Sequence, residues 1–549
     1  MEQTQRCRLE LFRAHDEGLE SSDLTSAVAD ALGIAPSSVE SVEVVRKALD
    51  ARRRLKKPTW QLTVDASLKG AVTIPRRAHE RYRALPSPAT ATATAAAPAL
   101  ESPSVAAARA KEPVVVVGAG PAGLFAAWWL AKHGAHVILL ERGKPVERRA
   151  RDFGQLRGRG ILNPESNLCF GEGGAGTYSD GKLTTRKNDP LVREVLERLV
   201  EMGAPPRILV DAKPHIGTNL LFGVIKNMRQ RLLDLGVTIH FEARMNRVVS
   251  EGGRIVGVDV QSIGQLDAAK VVLAIGHSAR DTFEGLLADG VPMEAKSFAV
   301  GVRAEHPQAL IDAAQYHLGK KPRPATLPPA DYRLTHQVGQ RGVYSFCMCP
   351  GGMVVPTATE PGLMVVNGMS SARRSTPFAN SGVVVQVDPT DMSALGCGEG
   401  PLAGVAFQRL LERQTFEATQ GGYRAPAMRA SDLLRGRASG QLAHSHFRPG
   451  LVPCDLADVL PPLIHQPLVE AIRRFDHIIP GYGSDAGNLM AIESRTSSPI
   501  RIPRDTASFE VPGFGGLYVA GEGPGYAGGI MSAAIDGLRV AHHVLGSMR

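Results

Sequence analysis

The sequence predicts an α/β protein with three parts: a parallel-sheet nucleotide-binding domain, an α+β substrate or cap domain inserted into it, and a small α+β domain in front. Three observations carry this. Residues 114–117 are four valines, a run that suits a strand buried on both faces, and Gly118, Gly120 and Gly123 follow at GxGxxG spacing. An apolar stretch then reads as a helix to about His133, with Gly134 just past its end, and a second strand from His136 to Leu140 is closed by Glu141. Near the other end, residues 516–537 (GLYVAGEGPGYAGGIMSAAIDG) again give strand, glycine turn and helix.

The residue types fit a Rossmann-type dinucleotide site. Gly118 permits the tight turn, Gly120 has no Cβ and lets a pyrophosphate approach, and Gly123 lets the helix pack close to the strand. Pro121 and Ala122 open the helix, whose free N–H groups and positive dipole end face the phosphates. Glu141, 18 residues beyond Gly123, stands where an acid accepts hydrogen bonds from ribose hydroxyls. A lone GxGxxG says little; strand, glycines, helix, second strand and acid together say much more. Val114 to Ala131 carries no charge and has the length of a membrane span. Three glycines and a proline in its first ten residues argue against that, and no membrane span is expected.

At 549 residues the chain is long enough for several domains, and 58 glycines suit a protein rich in ligand loops. The net charge of +9 is modest, with its densest runs at 52–57 and 142–159. Solvated faces are the plain reading; an RNA-binding patch is the weaker one. The six cysteines show no CxxC and no metal spacing, which predicts free thiols in a reducing compartment. The first residues lack a signal core, so a cytoplasmic location is expected.

In chain order, residues 1–85 read as the small α+β domain, with strands from Cys7, Val42 and Thr59 and a helix from Leu24 to Leu32 capped by Ser22-Asp23. Residues 86–110 are an Ala/Pro-rich linker, leaving the first domain tethered beside the rest. Residues 111–292 hold the first part of the nucleotide-binding domain. In them, Asn167 to Lys182 is a glycine-rich loop; Gly171, Gly173 and Gly176 match GxGxxG again, but no apolar strand precedes them and no helix pattern follows. Such a loop, with Gly173, Gly174 and Thr177, exposes backbone N–H groups to a ligand. A helix capped by Thr218, a strand from Val237, a hairpin about Gly252-Gly253 and a strand ending at Gly276 follow. Residues 293–475 suit the substrate domain and 476–549 return to the nucleotide fold.

The strings GAGPAGLFAA, NLCFGEGGAGTYSDGKL, KPHIGTNLL, LAIGHSARDTF, YSFCMCPGG, ESRTSSPI and AGEGPGYAGGIMSAAIDG resemble those of the FAD-dependent dehydrogenases often called NAD(FAD)-utilising dehydrogenases, flavoproteins of the two-dinucleotide-binding-domain type. The resemblance covers most of the chain outside 86–110. It implies FAD as cofactor, with Arg142 beside Glu141 and with Met245 near the adenine. It also brings Gly276 back to the cofactor, sets Gly521-Glu522 by the ribityl or ribose, and aims the helix opening at Gly529, Ile530 and Met531 at the flavin. FAD-linked oxidoreduction of a small-molecule substrate through flavin N5 is implied; the substrate is not.

Catalytic candidates are His277 and Arg280 after the strand ending at Gly276, and Arg303 and His306 in the cap domain; His477 and Arg495 follow them. Cys347 and Cys349 form a CxC pair whose spacing strains a disulfide, so buried thiols are favoured over a redox pair. No Ser-His-Asp or metal-ligand set stands out. With only one Rossmann signature, NAD(P)H is a candidate for a transient electron donor only, and another protein is the alternative. A flavin-dependent RNA-modifying enzyme, or a non-catalytic binding protein on this fold, are the rival readings.

Overall fold

The computed structural model describes residues 5–52, 55, 57–70, 72–85, 113–185 and 188–548. The linker expected at 86–110 and three of the basic residues expected at a strand connection, Arg53, Arg54 and Lys56, lie outside the described residues.

The four valines form the strand Val114–Val117, all buried, inside a parallel sheet. Val137–Glu141 and Thr238–Phe241 extend the sheet on one side, and Lys270–Leu273 and Phe514–Val519 on the other. The antiparallel hairpin Met245–Glu251/Arg254–Val260 turns at Gly252 and Gly253, both with positive φ, as that pair predicts. The helix Pro121–Lys132 is apolar all round because it is enclosed: every residue from Ala122 to Ala131 is buried. Its cover is the C-terminal helix Ile530–Gly546, and a Cβ on Gly537 would lie 2.1 Å from the Ala122 carbonyl oxygen. No described helix is long and apolar enough to cross a membrane.

A second, mainly antiparallel sheet makes the cap domain. Its strand order runs Thr335–Val338, Arg341–Cys349, Phe378–Val387, Phe298–Pro307, Asn488–Glu493, Ala425–Arg429 and Leu451–Pro453. The wholly buried strand Asn488–Glu493 pairs with Phe298–Pro307, so this sheet continues past residue 475, where the sequence places the return to the nucleotide fold. The helix predicted from Thr218 begins at that residue, but Gly217 is its N-cap; the Thr218 hydroxyl donates instead to the Thr177 carbonyl at 2.7 Å.

The N-terminal unit is an antiparallel sheet in the order Val39–Asp50, Thr59–Leu68, Gln5–Ala14, Tyr82–Leu85, covered by the helix Ser21–Leu32. It has its own core, built from Leu9, Leu11, Val28, Leu32, Leu62 and Val64. The helix starts earlier than expected, because Glu20 and Asp23 form a reciprocal capping box. The unit is docked as well as tethered. The Lys47 N–H donates to the Val210 carbonyl and the Ala212 N–H to the Lys47 carbonyl, both at 2.8 Å, and Leu49 and Ala51 pack on the cap-domain core.

Because each unit closes its own core, a chain starting at residue 111 should remain soluble and melt in one cooperative transition, followed by circular dichroism. An aggregated or unfolded product, with the full-length protein well behaved, would mean that the contacts at Lys47, Leu49 and Ala51 complete the core.

Candidate active site

The first glycine turn is built by close approach. Gly118 has φ +104°, and a Cβ there would stand 2.4 Å from the Ala274 carbonyl oxygen; one on Gly123 would stand 1.8 Å from that of Gly118. Gly120 caps the helix and faces Gly174 of the glycine-rich loop, whose Cβ would come within 3.1 Å of the Gly120 Cα. These positions leave bare backbone on both sides of the helix N-terminus, the arrangement a pyrophosphate needs.

The glycine-rich loop is held from beneath by Arg149. This guanidinium has no exposure, and it donates to the carbonyls of Asn167 (2.8 Å), Leu168, Glu172 (2.6 Å) and Gly174 (2.9 Å). It also stacks over Tyr178. Glu141 ties the loop to the sheet: Oε1 accepts from the N–H groups of Gly143 and Gly171 and Oε2 from that of Ala119, at 2.8–2.9 Å. Arg142 lies flat over Phe170, 4.0 Å from the ring centre, and pairs with Glu165 and Asp281.

One cavity of about 2610 Å³ joins these parts. Of the residues predicted to bind cofactor, Gly118, Gly120, Pro121, Ala122, Glu141, Arg142 and Gly174 line it from the first half-site. Met245 and Gly276 line its side, and Glu522, Gly529 and Ile530 come from the chain's far end. Gly123, Gly173, Thr177, Gly521 and Met531 support the wall without lining it. Thr177 turns back to the Glu172 carbonyl (3.4 Å), Met531 sits in the core, and a Cβ on Gly521 would meet that of Ala122 at 2.8 Å. The Glu522 carboxyl is pushed up to about 8 by burial, against the pull of Lys296. The fit for a dinucleotide is therefore good: two glycine turns with bare backbone, a helix N-terminus in each half, and a cleft long enough for an extended ligand.

The catalytic candidates separate. His277 lines the cavity, with Nδ1 and Ser278 Oγ sharing a hydrogen bond at 2.8 Å. Burial, then Arg495 and Arg280, push its imidazole down to about 4, so it is neutral at neutral pH. Arg280 does not reach the cavity. It is buried and donates to Glu412, Glu360 and Gln408. Arg495 pairs with the same Glu412 (2.8 Å) while also lining the cavity. Against strong burial, these two guanidiniums hold the Glu412 carboxylate down at about 2. Arg303 is likewise enclosed, with Glu493 at 2.9 Å and Asn380 at 3.0 Å. His306 is buried beneath the sheet, and its Nε2–H donates to the Tyr482 carbonyl at 2.7 Å. Both were expected at a substrate site, but their strand, Phe298–Pro307, is covered on both faces. His477 and His215 line the cavity.

Three features were missed in the sequence: Arg149, the buried Asp180 paired with Arg374, and a cavity wall from the N-terminal unit that includes Lys47 and Trp60. For Arg149 a signal existed. Val146, Arg149, Phe153 and Leu156 share one helical face, and that face is buried.

Residues 113–205 match the family model for FAD dependent oxidoreductases, and residues 297–496 that for FAD-dependent protein, C-terminal domain-like. Residues 1–67 match a domain of unknown function, DUF8436. An uncharacterized protein of Clostridium beijerinckii is 44% identical over 439 residues, covering 79% of this chain and 81% of its own. Digeranylgeranylglycerophospholipid reductase 1 of Methanococcoides burtonii is 26% identical over 219 residues, 38% of this chain and 49% of its own. Among solved structures, glycine oxidase from Geobacillus kaustophilus covers 79% of this chain and 94% of its own, at 13% identity and a TM-score of 0.34. The chain belongs to the FAD-dependent oxidoreductase family. It is an enzyme, and its cofactor is FAD.

Two outcomes follow from the geometry. Arg149→Met leaves four loop carbonyls without their donor; at about 1.5–3 kcal/mol for a bond to a charged group, and with the four acting as a unit, the loss should be at least about 3 kcal/mol in urea unfolding. Arg149→Lys should not rescue it, since a compact ammonium cannot span the four oxygens. For Glu522, the folded FAD-free protein holds a proton that the unfolded chain releases, between the ordinary glutamate value of about 4.5 and about 8. This contribution to stability is full below the lower value and is lost as pH rises through the upper one. The melting temperature of the FAD-free protein should therefore carry a downward slope across that window, and Glu522→Gln should flatten part of it.

Proposed function

We propose that the arm of the cavity running from Gly120 and Glu141 to Glu522 and Gly529 holds FAD along its length. The arm walled by Lys182, Cys347 and the N-terminal unit takes a small-molecule substrate. The observation that supports this most is that glycine turns from opposite ends of the chain open into one cavity of about 2610 Å³. A single ligand pocket needs only about 300–1,000 Å³, which leaves room for a second ligand.

The residues divide the work. Three of the roughly four lone-pair sites of Glu141 are taken by backbone N–H groups, so it accepts from one ribose hydroxyl through Oε2 and not from two. The helix opening at Ile530 directs its positive end toward negative charge in the cleft. FAD, when bound, supplies hydride acceptance and donation at its flavin ring. The cap sheet and the N-terminal unit exclude water from that ring. His277, neutral and tied to Ser278, serves as a hydrogen-bonding wall and not as a cation. NAD(P)H is a transient visitor to the substrate arm, since both glycine turns open into the same cleft and leave it no place of its own among the described residues. All six cysteines are free thiols, which supports a cytoplasmic location.

The flavin spectrum of the purified protein, before and after NADH or NADPH, tests cofactor and donor together. FAD should be released on denaturation; FMN, or no flavin after reconstitution, would sink the placement. Glu141→Ala should weaken FAD binding about 10- to 150-fold, from the loss of about 1.5–3 kcal/mol. It should also lower the melting temperature, because three backbone N–H groups lose their acceptor, while the spectrum of the flavin still bound stays nearly unchanged. Glu522→Ala should alter that spectrum or the reduction rate. Unchanged FAD affinity in Glu141→Ala would remove the ribose assignment.

A further inference from the structure

The Cys-Met-Cys segment of the cap sheet is not an ordinary pair of strand residues. The strand Arg341–Cys349 pairs regularly with Phe378–Val387 as far as Phe346 opposite Gly382, and then shifts register before Cys349 meets Asn380. Cys347 sits in the bulge with φ +42°, in the left-handed region that a non-glycine residue seldom adopts. Bulges re-aim side chains, and here the two thiols stay close but differ in exposure. Cys349 is wholly buried, while Cys347 is half-buried and lines the cavity.

The segment is gripped from both sides. Arg303 Nη2 donates to the Cys347 carbonyl at 2.7 Å, and the Cys349 thiol donates to the same oxygen at 3.4 Å. Lys182, from the glycine-rich loop, donates to the Met348 carbonyl. Arg303 is neutralised by Glu493, and the nearest acid to Lys182 in sequence, Asp180, is taken by Arg374 and Ser370. Among the described residues, Lys182 makes no ion pair with a carboxylate. It is a cavity-lining cation without an anion, next to a cavity-lining thiol.

We propose that Cys347 is the nucleophile of the substrate arm, a thiolate open to soft electrophilic carbons such as the β-carbon of a conjugated enone. The sulfur electron pair forms the S–C bond at that carbon. The carbon–carbon π pair moves to the carbonyl oxygen as an enolate, and a proton from water completes the saturated thioether. No oxidant or reductant is consumed. The charges around the sulfur agree with this. The neighbouring Cys349 thiol, followed by Lys182 and Arg303, pulls the Cys347 thiol below its ordinary range against the cost of burial, while Cys349 is pushed up. Asp180 faces the same sulfur and opposes the shift without reversing it, while the sulfur in turn helps to push the Glu493 and Glu522 carboxyls up.

The FAD-loaded protein is treated with iodoacetamide, and separately with cyclohexenone, and the modified peptides are mapped by mass spectrometry from about pH 5 to about pH 10. Cys347 should be labelled first, Cys349 spared, and the labelling midpoint should fall at least about one unit below the ~8.5 of a free cysteine. Lys182→Met should raise that midpoint and Lys182→Arg restore it. Cys347→Ser should lose the fast labelling yet retain FAD, which separates this proposal from the placement of the cofactor. Three results would overturn it: a midpoint at or above the ordinary value, Cys169 labelled ahead of Cys347, or a Cys347–Cys349 disulfide recovered from protein purified without reductant.

Discussion

Arg149 lies with no solvent exposure beneath the glycine-rich loop and donates to four of that loop's carbonyls. Glycines at 171, 173, 174 and 181 all adopt positive φ, so the loop's shape cannot come from side-chain sterics. It comes from the guanidinium, and from Glu141, which accepts from the Gly171 N–H. The charge stays buried because a planar fork can serve several oxygens at once, and Tyr178, Glu141 and Glu172 offset part of the desolvation that pulls its pKa down. Remove that anchor and the face opposite Gly120 loses four of the ties that fix it.

A second buried carboxylate does for the domain interface what Arg149 does for the loop. Glu412, on a cap-domain helix, accepts from Arg280 of the nucleotide domain and from Arg495, with the Ser494 hydroxyl adding a third donor. Such a network contributes little net stability over an apolar contact, but removing one partner strands a buried charge at about 3–5 kcal/mol. Its value is in register. It sets the strand end bearing His277 against the cap wall bearing Arg495 and so sets the width of the cavity between them.

The parts that could be read from sequence are those whose physics is local. The valine run, the glycines at 118, 120 and 123, and Glu141 lie within thirty residues, and each residue type answers a constraint set by its neighbours. The turn before the last helix is equally local. The polar residues of the cap domain were not readable in this way. Arg303 and Glu305 alternate with apolar residues like the exposed face of a strand, but helices and neighbouring segments cover that face too, so both are buried. Docking of the N-terminal unit leaves little side-chain pattern, because its central contacts are main-chain bonds at Lys47 with only Leu49 and Ala51 packed beside them on the cap-domain core. Arg149 was readable in principle, since it interrupts an apolar helical stripe, but a dense run of arginines around it hid the stripe.

The packing of Gly537 on Ala122 joins positions 415 residues apart. During synthesis at about 5–20 residues per second, the helix carrying Trp128 and Trp129 therefore waits roughly 20–80 s before its covering helix exists. For that interval an all-apolar helix lacks the cover of one of its faces, and the cleft between the two glycine turns lacks one of its ends. That face needs temporary cover until the helix Ile530–Gly546 has been made.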